Sequence, residues 1–299
     1  MMEKRQKMIW TNVTKSGLCD RLQDLFLVAA YANMINCDLY LYWPEGQKDL
    51  QFNDFQLKTW PKSRWSDYLK NNLCSYFNLP NNVYFLNDND SNKEGYYFYF
   101  NDYLGGIFNR KTFSEKYNLN KLEFYKFHDE CLSQFTPKDK LVSLFNTSDN
   151  IDLAIHLRRT DKVNSLPNFF LEIHSSELQN LNDKTIQCIL NEVQNNKEKK
   201  INVYICSDCE DTKKYFNETI SNVCNIIETP QINFDYEQTY IDLYYLSNSK
   251  KLIMSQKHSN FSYFSSSIKK NLLIYFYKEN ELISNSDTNN YIFFEDSVK

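Results

Sequence analysis

With 299 residues, 42% of them apolar and 24% charged, the chain has the length of about two domains and the composition of a globular protein, which excludes disorder as its main state. Its 34 Lys and Arg against 38 Asp and Glu leave a net charge of −4, so no global basic field exists to hold nucleic acid, and any anion site must be built locally from a few cations. Only five glycines occur, none beyond Gly106. None has the spacing of a dinucleotide fingerprint, a Walker loop, a kinase glycine loop or a G-x-S-x-G elbow, so a bound phosphate would rest largely on side chains.

The opening residues read as a β-α-β unit. Met8–Val13 has the pattern of a short strand and Ser16–Asp20 that of a tight turn. Leu22–Ile35 places Leu22, Leu25, Phe26, Ala29, Ala30 and Asn33 at helical spacing, and Cys37–Tyr42 alternates like a strand stopped by Pro44. From Glu45 to Asn150 the periodicity is poor. Aromatics cluster between Tyr97 and Tyr103 and read as core and cleft wall, and the spacing predicts a few short strands and a helix over Thr136–Phe145, with Pro137 in its first turn.

Beyond Asn150 strands and helices alternate. Strands are expected at Ile151–Leu157, Ile201–Ser207, Asn222–Glu228, Lys250–Ser255 and Asn271–Tyr277. Helical stretches are expected at Asn168–Leu181, Lys184–Asn196, Glu210–Glu218, Tyr236–Ser249 and Asn260–Lys270. Five strands alternating with helices imply a parallel, doubly wound α/β sheet. The polar stretch Asn146–Asp152 is the best boundary, separating residues 1–148 from residues 149–299, and Asn285–Asn290 reads as an exposed loop.

Eight scattered cysteines and a charged, polar N-terminus lead to an expectation of reduced thiols in a soluble, cytoplasmic chain without a signal peptide. The most apolar window, Leu22–Trp43, is interrupted by Asp24, Asn33, Asn36 and Asp38, so no transmembrane segment is expected. Cys206 and Cys209 form a C-x-x-C between a strand and a helix, but no second ligand pair accompanies them. Asp88 and Asp90 lack the glycine and glutamate of a calcium loop, and no metal is expected.

The chemistry concentrates after the strand Ile151–Leu157, which runs into R-R-T-D-K and so brings Arg158, Arg159, Asp161 and Lys162 to the carboxyl edge of a parallel sheet, where open α/β sheets bind ligands. Adjacent arginines on an extended backbone point to opposite sides, so one guanidinium can enter a cleft while the other packs toward a carboxylate such as Asp161. Arginine's planar fork holds two phosphate oxygens at once and stays charged at any working pH, which suits a diphosphate leaving group without metal. The alternative is a solvated basic turn paired with Asp161. His156, two residues before the first arginine, and the buried strand ahead of it weigh against that alternative.

The segment from His156 to Val163, H-L-R-R-T-D-K-V, resembles the signature of the fucosyltransferase superfamily, above all its α-1,6 and nodulation-factor branch. Val203–Phe216 is similar to the family's strand ending in an acidic turn before a helix, with Ser207 and Asp208 matching and Cys209 where a second acid is common. Asp242–Phe264 is similar to its last motif, with Ser259, Asn260 and Phe261 matching best. Gly17, Asp20 and Arg21 look like its N-terminal glycine turn and first helix. The resemblance covers the first forty residues and the C-terminal half, and leaves Glu45–Asn150 uncovered.

The resemblance implies a GT-B architecture, two Rossmann-like domains facing a cleft. Residues 1–148 would lie on the acceptor side, and residues 149–299 would hold a nucleotide sugar, GDP-fucose or another. It implies an inverting, metal-independent transfer to a glycan acceptor, with Arg158 and Arg159 neutralising the diphosphate beside Asp161 and Lys162. His156 would bond the phosphate or ribose side, Asp208 the ribose or base, and the helix starting near Ser259 would offer backbone N–H groups to the diphosphate. One departure matters: where the α-1,6 enzymes carry a candidate base this chain has Leu166, so the base is unassigned among Asp20, Asp161 and acids such as Asp102. Leu166 and Cys209 leave open a non-catalytic glycan- or nucleotide-binding descendant of the same fold.

Overall fold

The structure is a computed structural model, and it describes residues 5–11, 18–42, 73–86, 97–100, 110–145, 150–158, 175–196, 200–230, 235–254, 259–269, 272–277 and 281–284. The chain divides into two compact units, Met1–Leu144 with Ile232–Tyr240, and Phe145–Gln231 with Ile241–Lys299.

In the first unit β1 (Gln6–Thr11), β2 (Cys37–Tyr42), β3 (Val83–Leu86) and β4 (Tyr97–Phe100) form a parallel sheet in the order β3-β2-β1-β4. The first crossover is α1 (Leu18–Met34), whose burial exceeds that of a one-sided amphipathic helix: Leu22, Leu25, Phe26, Val28, Ala29, Ala30 and Ala32 are all fully enclosed. The chain leaves α1 through Asn36 at φ 56°, a left-handed position that ends the helix and turns it into β2.

Two helices that the poor periodicity concealed follow, α2 (Arg110–Lys116) and α3 (Lys121–Gln134). Asn118, at φ 50°, sits after α2 in a Schellman arrangement in which Asn118 N donates to Glu115 O at 3.1 Å and Leu119 N to Ser114 O at 2.8 Å. Asn120 then caps α3, accepting from Glu123 N at 3.2 Å. In a glycine-poor chain, asparagine takes the left-handed positions glycine usually fills. Phe26 meets Phe135 edge-on at 5.3 Å, and Phe113 stacks on Phe124 at 5.2 Å.

The helix expected over Thr136–Phe145 is only the single turn α4 (Asp139–Val142), and Pro137 bridges to Phe77 instead of opening the helix. Residues 232–240 cluster with this unit because Tyr76 stacks on Tyr240 at 4.8 Å and donates its hydroxyl to Glu237 at 2.5 Å.

The second unit holds a six-stranded sheet made of β5 (Leu153–Leu157), β6 (Asn202–Ser207), β7 (Asn225–Ile227), β8 (Lys251–Met254), β9 (Leu272–Tyr277) and β10 (Glu281–Ser284), in the order β10-β9-β8-β5-β6-β7. The five predicted strands run parallel, and β10, which the sequence did not reveal, adds an antiparallel edge. The helices are α5 (Ser175–Asn195), α6 (Glu210–Ile220), α7 (Asp235–Asn248) and α8 (Asn260–Lys269). α5 runs unbroken through Asn182 and Asp183, where two helical stretches were expected. Asn182 is buried within the helix, and Asp183 accepts from Gln179 one turn before it at 2.8 Å.

Alternation along the strands assigns the two faces. Leu153, Ile155, Leu157, Val203, Ile205 and Ile253 pack against Ile189 of α5 and Phe216 and Ile220 of α6. Residues of the other parity turn the opposite way: Tyr204 packs on Tyr245 of α7 at 4.3 Å and His156 on Phe261 of α8 at 5.4 Å. Helices therefore cover both faces, as a doubly wound sheet requires.

Candidate functional site

The sheet order places β6 and β7 on one side of β5, and β8 and β9 on the other. The connections thus diverge between β5 and β8, and the crevice outside the carboxyl ends at such a switch point is where open α/β sheets take ligands. His156 lies at that point, in register with Met254 of β8 and Cys206 of β6.

The imidazole is 7% exposed, and its Nδ1 lies 2.6 Å from Ser262 Oγ and 3.1 Å from Ser259 Oγ. Ser259 precedes the first turn of α8, its carbonyl accepting from Tyr263 N at 3.1 Å, and Ser262 follows one helical turn later on the same face. Both serines are enclosed. The remaining serines of α8 bond inside the helix: Ser265, Ser266 and Ser267 donate to the carbonyls of Phe261, Tyr263 and Phe264 at 2.7 to 2.9 Å.

Arg158 is half-buried immediately beyond β5. The backbone ahead of it is held by Ser207, which donates to Leu157 O at 2.9 Å and accepts from Cys209 N at 3.2 Å, tying the ends of β5 and β6 to the start of α6. The Ser207 hydroxyl proton is therefore used to shape the edge, and Asp208 is the adjacent half-buried acid. Cys209 stands at the N-cap of α6 with no capping bond from its side chain.

Behind the edge, Tyr204 donates to Asp242 of α7 at 2.5 Å. Burial, and then the Asp242 charge, push the Tyr204 hydroxyl well above its ordinary range, and the same two causes in the same order raise the Cys206 thiol. Both groups stay protonated, and Tyr204 serves as a donor to the carboxylate. All eight cysteines are free thiols, and among the described residues no cluster of three His, Cys, Asp or Glu side chains could hold a metal ion. Among those residues no helix is long and apolar enough to cross a membrane.

Of the residues singled out in the sequence, His156, Ser259 and Phe261 meet in one cluster, Asn260 opens α8 beside them, and Arg158, Ser207 and Asp208 line the same carboxyl edge. Asp20 and Arg21 belong to the first turn of α1 in the first unit, where Arg21 is interior at 2% exposure, one turn from the equally buried Asp24. Gly17, Arg159, Asp161, Lys162 and Leu166 lie outside the described residues. Ser262 is the site residue that motif reading passed over. Its signal was the spacing of three from Ser259 at the start of a helix.

No protein-family model matches the chain, and no curated protein sequence matches it significantly. Solved structures do match. The fucosyltransferase NodZ from Bradyrhizobium aligns over 94% of this chain and 99% of its own, with 13% identity and a TM-score of 0.53. A second, selenomethionine form of NodZ aligns over 94% and 98%, with 11% identity and a TM-score of 0.52. POFUT1 in complex with GDP-fucose superimposes less well, over 89% and 94% of the two chains, with 11% identity and a TM-score of 0.46. The likeness to NodZ shows the fold: this chain is built on the α/β, GT-B framework of the fucosyltransferase-like structures.

Proposed function

We propose that the chain is an inverting, metal-independent glycosyltransferase that moves fucose from GDP-fucose to a glycan acceptor. The observation that carries the reading is His156 at the β5–β8 switch point, bonded to Ser259 at the start of α8 and followed two residues later by Arg158, in a chain with the fold of a fucosyltransferase. The donor's diphosphate becomes more negative as the glycosidic bond breaks. Arg158, with Arg159 next in sequence, would stabilise that charge, and Asp161 and Lys162 complete the charged run. Asp208 would accept from the ribose or base. Ser259, Asn260 and Phe261, where α8 begins, would contribute hydroxyl and backbone donors to the phosphates.

Calorimetric titration with GDP, UDP, dTDP and CMP, in buffer containing EDTA, tests the donor reading. GDP should bind most tightly and without divalent metal; a preference for another nucleotide, or loss of binding with the chelator, would overturn the corresponding part. A second reading, a nucleotide- or glycan-binding descendant without turnover, rests on Leu166 and Cys209 standing where related transferases have acids. Release of fucose from GDP-fucose to acceptor or water separates the two.

A further inference from the structure

We infer that Ser262 is a positioning residue that acts through His156: its hydroxyl donates to Nδ1 and thereby fixes the ring as the Nε2–H tautomer, so that His156 offers an N–H donor at the switch point. The inference rests on the transferase reading only for the identity of the anion that would accept that N–H.

The direction of the hydrogen bond follows from where Ser262 sits. A helical serine ordinarily returns its proton to a carbonyl three or four residues back, as Ser265, Ser266 and Ser267 do in this same helix. Ser262 is the third residue of α8, so the carbonyl four back, that of residue 258, precedes the helix. Ser262 makes no such bond: among the described residues the His156 ring nitrogen is the one hydrogen-bond partner of its hydroxyl. The proton of the fully enclosed Ser262 hydroxyl therefore goes to the ring nitrogen 2.6 Å away. Ser259 Oγ is farther from the same nitrogen, at 3.1 Å, and the single lone pair of Nδ1 goes to the nearer hydroxyl of Ser262.

A neutral imidazole has one donor and one acceptor nitrogen, so occupying Nδ1 as the acceptor leaves Nε2 as the donor. The tilted contact with Phe261, ring centres 5.4 Å apart, limits rotation of the ring plane. A buried neutral N–H can meet a phosphate oxygen without bringing a second buried cation beside Arg158, whereas the other tautomer would present a lone pair to that anion.

The test uses the full-length chain. Nitrogen-15 NMR of the imidazoles reads the tautomer directly, with only four histidines to resolve and His156→Gln to assign the signal. The wild type should show the Nε2–H form. Ser262→Ala should give mixed tautomers and weaken GDP binding about tenfold, the scale of one hydrogen bond to a charged group, while the chain stays folded with a melting temperature lower by several degrees. Ser262→Thr, which keeps the hydroxyl, should restore both readouts. A wild-type ring in the Nδ1–H or doubly protonated form would overturn the inference, and so would a single unchanged tautomer in Ser262→Ala. If the wild type binds no GDP, the nucleotide reading fails, and the tautomer measurement still decides the role of Ser262.

Discussion

Replacing Arg158 with Lys separates a leaving-group role from bland surface charge, because the charge survives and the fork does not. Arg158 stands just past the last ladder residue of β5 and is half-buried. The Leu157 carbonyl before it accepts from Ser207. A guanidinium whose work is to hold a bound anion rather than the fold predicts a stability change of no more than about 0.5 kcal/mol for Arg158→Lys, which for a unit of this size is a melting shift of roughly 1 to 2 °C. Against a developing phosphate charge, losing one of two parallel N–H···O bonds is comparable to deleting an oxyanion-hole donor, so transfer should slow by about 10²-fold or more. Single-turnover release of fucose from GDP-fucose, with a thermal melt on the same sample, measures both, and Arg159→Lys gives the second arm. Near-normal turnover in both variants would refute the electrostatic argument. A drop of many degrees for Arg158→Lys would make that guanidinium structural and leave the anion to Arg159.

The remaining expectations concern the interior. Tyr204→Phe removes the donor to Asp242 and should cost about 1 to 3 kcal/mol of unfolding free energy, read from a urea titration; an unchanged midpoint would mean that the carboxylate gains nothing from the pair. Cys209 and Cys74 are half-buried while the other six thiols are enclosed, so mass-spectrometric alkylation should label these two first and the rest only on unfolding. Burial pushes Cys131 up to about 12 and Cys188 and Cys224 up to about 11, from an ordinary value of 9.0. The unfolded chain therefore loses these protons first: the stabilisation is complete below about pH 9 and is lost progressively as pH rises through the folded values, so the urea midpoint should be lower at pH 10.5 than at pH 8.

Where burial imposes a simple period, the sequence and the structure agree. β5, β6 and β8 of the second sheet are largely enclosed and read as apolar runs, and α1, α6, α7 and α8 follow helical spacing closely enough to be seen. α3 was hidden for a physical reason. Of its fourteen residues only Phe124, Cys131 and Leu132 are buried, while the exposed Leu122 and the partly covered Tyr125 and Phe127 blur the stripe. The legible signal there was local: Asn120 and Glu123 have the spacing of a helix start, and Asn118 that of a helix end. At the site, the H-x-R-R-x-D-K run led to the strand end that stands where the sheet order reverses. The Ser262 contact could not be read from it, because that contact joins residues 106 positions apart and depends on which serines of α8 spend their protons within the helix.

The two ends of the second unit's sheet hold their polar groups differently, a contrast that does not depend on any motif. At the amino edge, Asp152 accepts from Asn202 N at 3.0 Å and from Lys250 at 2.6 Å, and Asn225 donates to Asn202 at 3.1 Å. These bonds tie neighbouring strand starts at or near the surface, where water could replace either partner at little cost. At the carboxyl edge His156 is interior with Ser259 and Ser262, and deeper in the sheet, one strand away, the buried Tyr204 donates to Asp242. Each such group forfeits about 1 to 3 kcal/mol if its partner is lost, and apolar side chains of similar shape would fill the same volume without that exposure to failure. Folding alone therefore gives no reason to retain a hydroxyl-bound histidine between β8 and β6. The proposed ligand, which would take one oriented N–H at the switch point, supplies such a reason, and local departures from apolar packing are expected where a fold is put to use.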